Sequence, residues 1–233
     1  MKTTISVSTG FSGKFLLKRI LLLCGILASI LYAAMIFAIQ YEGYNIASQT
    51  VSELSATGSP TRPLWLPLGI AYQALMIMYG SGLWLSAAQN RALRIIACMI
   101  LLDYGIASFL WPIASMHSRE VLVSGGKTFA DTLHIILVTV TVLCNLSAIG
   151  FGAFAFGKQF RFYSIVTIII MLFFGVLTGL AAPRVQSNLP TPWVGIWERI
   201  NILSCLLWII VLAIILLRSE MKQNSNLNLK TLI

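Results

Sequence analysis

Six stretches of this chain are too long and too apolar to fold in water. A helix needs about 20 apolar residues to cross the hydrocarbon core of a bilayer, and residues 20–40, 64–88, 95–116, 132–156, 162–182 and 200–217 each supply roughly that length. Only 10% of the 233 residues are charged, against about a quarter in an ordinary soluble domain. The expected fold is therefore an all-α integral membrane protein: a six-transmembrane-helix bundle over 20–217, between a cytoplasmic N-terminal segment, 1–19, and a cytoplasmic polar tail, 218–233. The tail sequence "KQNSNLNLK" reads as disordered.

The formal charge of +9 does not point to nucleic acid, because no basic, aromatic-interleaved soluble face accompanies it. The charge follows the threading instead. Lys2, Lys14, Lys18, Arg19, Arg91, Arg94, Lys158, Arg161, Arg218, Lys222 and Lys230 fall on one side of the six spans, and Arg62, Arg119, Lys127, Arg184 and Arg199 on the other. This bias places both termini in the cytoplasm and the protein in the inner or plasma membrane. The first span exceeds a signal-peptide core and lacks a small-x-small cleavage site after it, so it reads as a retained anchor. Cys24, Cys98, Cys144 and Cys205 stand singly inside predicted helices, with neither disulfide nor zinc spacing.

On the outer side the connections are longer. The first, "YEGYNIASQTVSELSATGSPTRP", holds Thr50 and Glu53 at capping-box spacing, which predicts a short outer surface helix stopped by the Gly58-Ser59-Pro60 turn. Trp65, Trp111, Trp193 and Trp197 sit near outer span ends and read as an interfacial belt. Gly175 and Gly179 have the small-xxx-small spacing of a close helix contact, internal or between copies.

The chemistry gathers in "ASMHSREVLVSGGKTFADTLH", residues 114–134. His117 closes the third span, and Asp131 and His134 open the fourth, three residues apart on one helical face. Two histidines and a carboxylate make a divalent-metal set of the kind zinc accepts. Glu53 or Glu198 would then serve as the base of a metal-dependent hydrolase acting on a lipid or amphiphile at the outer face. The same residues also read as a plain binding or structural network. Asp131 is a good N-cap, Glu53 closes its capping box, and the five outer acids balance five outer bases. On that reading the outer pocket binds a lipid headgroup or small ligand, with Ser52, Arg62, Arg119 and Arg199 as its contacts. Arg199 beside Glu198 reads either as an interfacial ion pair or as a headgroup anchor. Within the membrane, Asp103 stands alone as an ionisable group. Counting about 1.5 Å per residue puts it level with Asn145, so the two form an expected polar pair.

Taken together, "ASQTVSELSATGSPTR", "WPIASMHSRE", "DTLHI" and "TPWVGIWERI" resemble the domain-of-unknown-function 998 family of prokaryotic multi-pass membrane proteins, from the first span to the last. The resemblance implies a six-helix membrane fold with polar motifs on the outer side, and it brings no established activity. By family pattern the residues of interest are Ser52, Glu53, Pro112, His117, Arg119, Asp131, His134, Glu198 and Arg199.

Overall fold

The computed structural model describes the backbone of residues 7–231 and the side chains of residues 13–221. Lys2 lies outside the described residues, as do the side chains of Lys222 and Lys230. Eight α-helices follow in order: α1 Val7–Ala38, α2 Val51–Leu54, α3 Arg62–Ser86, α4 Arg91–Gly105, α5 Arg119–Val123, α6 Phe129–Ala155, α7 Lys158–Gln186 and α8 Val194–Thr231. Six of them (α1, α3, α4 with its 3-10 extension, α6, α7 and α8) are long and apolar enough to cross a bilayer, which makes the chain an all-α multi-pass membrane protein. Among the described residues no strand forms beyond one isolated bridge, Thr57 to His117.

The long helices pack as a closed ring in chain order. α1 lies between α3 and α8, α4 between α3 and α6, and α7 between α6 and α8. Leucine, isoleucine and phenylalanine cover the outside, with Leu27, Phe154, Ile169 and Leu180 all exposed. In water such a surface would aggregate; facing acyl chains it carries no penalty.

The two ends of the ring differ. At the basic end, connections are short: Ala87–Asn90 joins α3 to α4, and Phe156–Gly157 joins α6 to α7. Asn90 caps α4 by accepting from Leu93 N–H at 3.0 Å while its amide donates to the Ala155 carbonyl at 3.1 Å, tying two helices together. This half is packed solid, around Tyr79, Leu83, Ile96, Ile149, Trp208 and Leu212. Tyr79 reaches across the ring to the Ile209 carbonyl at 3.4 Å. The other end, called the polar end below, carries the three long connections and the two short helices.

Three expectations are corrected here. The third span does not run helically to 116; α4 stops at Gly105, and a 3-10 turn, Ala107–Leu110, follows. Further on, Pro112 has no N–H to give the Ser108 carbonyl, so the α-helical ladder does not resume there, and Trp111 N–H takes that carbonyl at 3.2 Å. Trp65 is no interfacial anchor, because it is buried with Met35, Ile36, Val51 and Leu54. Trp193, by contrast, is exposed. The tail expected as disordered continues the α8 backbone to Thr231, in keeping with a run that lacks proline and glycine and grows from an anchored helix.

Candidate functional site

The polar end is organised by Glu53 and Arg119. Thr50 and Glu53 form the expected capping box on α2: Thr50 N–H donates to Glu53 Oε2 at 2.6 Å, and Glu53 N–H to Thr50 Oγ1 at 3.3 Å. The same carboxylate receives Arg119 in a two-point contact, Nε to Oε1 at 2.7 Å and Nη2 to Oε2 at 3.0 Å. Arg119 also donates to Thr191 Oγ1 and to the Ser48 carbonyl, both at 2.9 Å. One guanidinium thus joins the α1–α3, α4–α6 and α7–α8 connections. Glu53 is 5% exposed and both its oxygens are engaged in these contacts, while Arg119 is directed to Glu53, Ser48 and Thr191.

Arg199 is corrected more sharply. It is 2% exposed and neither pairs with Glu198 nor faces lipid headgroups. Its fork donates to the carbonyls of Ile36 (3.1 and 3.2 Å), Ile46 (3.0 Å) and Gly195 (3.1 Å) and to the Tyr44 hydroxyl (2.8 Å). It sits over the rings of Phe37 and Tyr44. The Ile36 carbonyl belongs to the last turn of α1, where the backbone lacks helical partners, so Arg199 finishes that helix and pins the first connection. Burial pushes the Tyr44 phenol up to about 12, which keeps it neutral and able to donate to the Thr50 carbonyl at 2.8 Å. Gly195 permits the approach: a Cβ there would overlap the Ile46 and Gln49 carbonyl oxygens.

The proposed metal set does not assemble. His117 and Asp131 do meet, with His117 N–H donating to Oδ1 at 2.8 Å and Nδ1 against Oδ2 at 2.9 Å. His134 turns elsewhere, its Nδ1 on the Ala114 carbonyl at 2.9 Å and its Nε2 on Ser52 Oγ at 3.1 Å. Both ring nitrogens are engaged, and among the described residues no three metal-binding side chains converge. Asp131 is the third residue of a capping box rather than the N-cap, because Thr128 holds that place and donates its N–H to Asp131 Oδ2 at 2.8 Å. Glu120, on the exposed side of α5, is held below the usual carboxylate range by hydrogen bonds from its own N–H and from Ser118.

The intramembrane pair also changes partner. Asp103 Oδ1 accepts from Thr141 Oγ1 at 2.8 Å, its Oδ2 is buried with no partner, and Asn145 makes no side-chain hydrogen bond among the described residues. Thr141 lies one turn before Asn145 on the same face of α6. The early end of α4 accounts for a one-turn error in a depth counted from helix ends.

Beneath the network lies a partly open cavity of about 590 Å³, enclosed by α3, α4, α6, α7 and α8 and roofed by α2. Its walls are mainly apolar, among them Ile70, Val138, Val142, Met171, Ile202 and Leu206. Gly175, Thr178, Gly179 and Ala182 make a low wall on α7, so the glycine pair faces this interior. Ser52, Arg62, Asp131, His134 and Glu198 line the polar end, and Asn145 lies deeper. Glu198 accepts from Val51 N–H through Oε2 at 2.6 Å, and Arg62 is held by the carbonyls of Ser55 (2.6 Å) and Pro112 (3.2 Å).

A family model described as a protein of unknown function (DUF998) matches residues 23–215. The chain belongs to the DUF998 family. The match runs from within α1 to within α8, so in this DUF998 protein it takes in the polar network and the cavity together. No curated protein and no solved structure matches the chain.

Tyr44, Ser48 and Thr191 were not among the expected site residues. Thr191 stands in "LPTPW", noticeable only as an echo of "SPTRPLW", and nothing in the sequence marks it as an arginine partner. The reassignment of Arg199 is testable. A lysine has three donors and no fork, and each lost charged hydrogen bond costs about 1.5–3 kcal/mol. Arg199→Lys is expected to lower the detergent melting temperature markedly, while Arg184→Lys, on an exposed side chain, leaves it nearly unchanged. Equal melting temperatures would return Arg199 to the surface.

Proposed function

We infer that this membrane protein binds an amphiphile of lipid or comparable size, its apolar part in the cavity and its head at the polar end. The observation that carries the reading is a cavity closed toward the basic end, apolar along its walls and polar at one rim. Its volume of about 590 Å³ falls within the range of about 300–1,000 Å³ found for ligand sites. From His134 to Asn145 is eleven residues along α6, about 16 Å of depth at 1.5 Å per residue. Asn145, 7% exposed and with no side-chain hydrogen bond among the described residues, offers a hydrogen-bonding group part-way down. Arg62 and Lys127 line the polar end and favour an anionic or zwitterionic head. The solid packing of the basic half argues against a conducting pore, which needs a continuous polar lining.

The same reading places the protein in the cell membrane with both termini cytoplasmic, so the polar end and its ligand face outward. The support is the bias of lysine and arginine toward the basic end. Alkaline phosphatase fused after Gly125 is expected to be active and after Asn90 inactive; the reverse pattern would invert the site.

Ligand binding itself is read by mass spectrometry of lipid extracted from the detergent-purified protein. A defined amphiphile is expected in roughly stoichiometric amount. Gly179→Leu, at a cavity position with no atom within 4 Å of a new Cβ, is expected to reduce that amount several-fold without lowering the melting temperature. Only bulk detergent and membrane lipid, in equal amounts in both proteins, would refute the reading.

A further inference from the structure

Ser52 and His134 form a pair that neither the metal set nor simple binding uses. The Ala114 carbonyl can only accept, so the 2.9 Å contact from His134 Nδ1 fixes the hydrogen on that nitrogen. In the neutral ring Nε2 then carries the lone pair. Ser52 Oγ, 3.1 Å away, is therefore the donor. Trp111 sets the plane of the imidazole, edge to face at 5.2 Å and 76°, and the ring is 6% exposed. A hydroxyl aimed at a base whose far nitrogen is held by a third group is the arrangement that activates a serine nucleophile. Carboxylate is the usual third group, and a carbonyl fixes the same tautomer without adding charge.

Position gives the pair its chemistry. Both side chains line the cavity, at the level where its apolar walls give way to Arg62, Lys127 and Glu198. In a membrane amphiphile that junction, between chain and head, is where the ester linkage lies. We propose that Ser52 and His134 are the nucleophile and general base of an acyl-ester hydrolase acting on an amphiphile bound in this cavity. The proposal rests on the binding reading above, and adds a reaction to it.

The steps balance with water as the only co-reactant. Ser52 Oγ attacks the ester carbonyl carbon while its proton passes to His134 Nε2. The tetrahedral adduct collapses, the carbon–oxygen bond to the head alcohol breaks, and Nε2 returns the proton to that alcohol. Water entering from the polar end then attacks the acyl-serine, with His134 again taking and returning one proton. The products are a fatty acid and the free alcohol, and Ser52 is restored. Arg62 and Lys127, on the same rim, are the cations placed to hold an anionic head through both steps.

The test is a long-chain alkyl fluorophosphonate applied to the purified full-length protein in detergent, with the adduct located by peptide mass spectrometry. The serine oxygen displaces fluoride, so the readout needs no knowledge of the natural ester. Labelling at Ser52 is expected, rising with pH as His134 loses its proton. His134→Asn is expected to slow it by about 10²–10⁴-fold at a melting temperature close to that of the unaltered protein. Ser52→Ala should abolish it. If His134→Asn fails to fold, the unaltered protein decides alone: an adduct at Ser52 with that pH profile supports the pair. An unreactive Ser52, or a rate that a folded His134→Asn leaves unchanged, overturns it. Retained lipid with an unreactive Ser52 leaves the binding reading standing and removes only the chemistry. Labelling of Ser52 with no retained lipid keeps the nucleophile and removes the lipid-binding reading.

Discussion

The contact on which the polar end depends is the two-point pairing of Arg119 with Glu53, at 2.7 and 3.0 Å. The helices in the connections there are very short, four residues in α2 and five in α5, and only α2 buries apolar side chains, Val51 and Leu54. Short helices are unstable alone, and tertiary contacts must hold them. Glu53 closes the cap of α2 from inside its own segment and offers its remaining lone pairs to Arg119. The guanidinium carries the linkage on to Ser48 and Thr191. A carboxylate and a guanidinium this deeply buried are costly to desolvate, and the loss of one partner from such a pair typically costs about 3–5 kcal/mol. The several hydrogen bonds that each group makes render the arrangement tenable.

A fixed roof has a consequence for what lies below. The helix ring is filled at the basic half by large side chains such as Trp208 and Tyr79, whereas small residues on α7 and the early end of α4 leave the polar half hollow. With α2 held in place, Ser52 and the acceptor from Glu198 to Val51 N–H are set at the cavity rim. Arg199 does the corresponding work from α8, binding the last turn of α1 and the first connection through backbone carbonyls. Charged residues that a sequence presents as surface groups thus become the internal fastening of a membrane-embedded pocket, and among the groups that face that pocket are Ser52, Arg62, Lys127, Asp131, His134, Glu198 and Asn145.

The sequence disclosed what depends on long runs and on local spacing. Six spans follow from hydropathy alone, and the cap on α2 follows from Thr50 and Glu53 three residues apart. Proximity of His117 to Asp131 was also legible, because antiparallel neighbours bring the end of one span beside the start of the next. What it concealed depends on where a side chain points once connections dock. Nothing local says that His134 turns to Ala114 and Ser52, or that Arg199 seeks the end of α1. Asp103 was matched to the wrong turn of α6 because a count from helix ends assumes an unbroken helix, and α4 stops at Gly105. The cavity was hidden for a similar reason: glycine and threonine on α7 are compatible with tight packing or with open space until the facing helices are known.

The most direct test of this account is a double-mutant cycle on the roof, with thermal unfolding in detergent measured for Glu53→Gln, Arg119→Gln and the combined variant. Each single change should cost about 3–5 kcal/mol, and the combined change should fall short of their sum by about 1–3 kcal/mol. Single changes within about 0.5 kcal/mol of the unaltered protein, or strict additivity, would contradict the claim that this pair holds the polar end together.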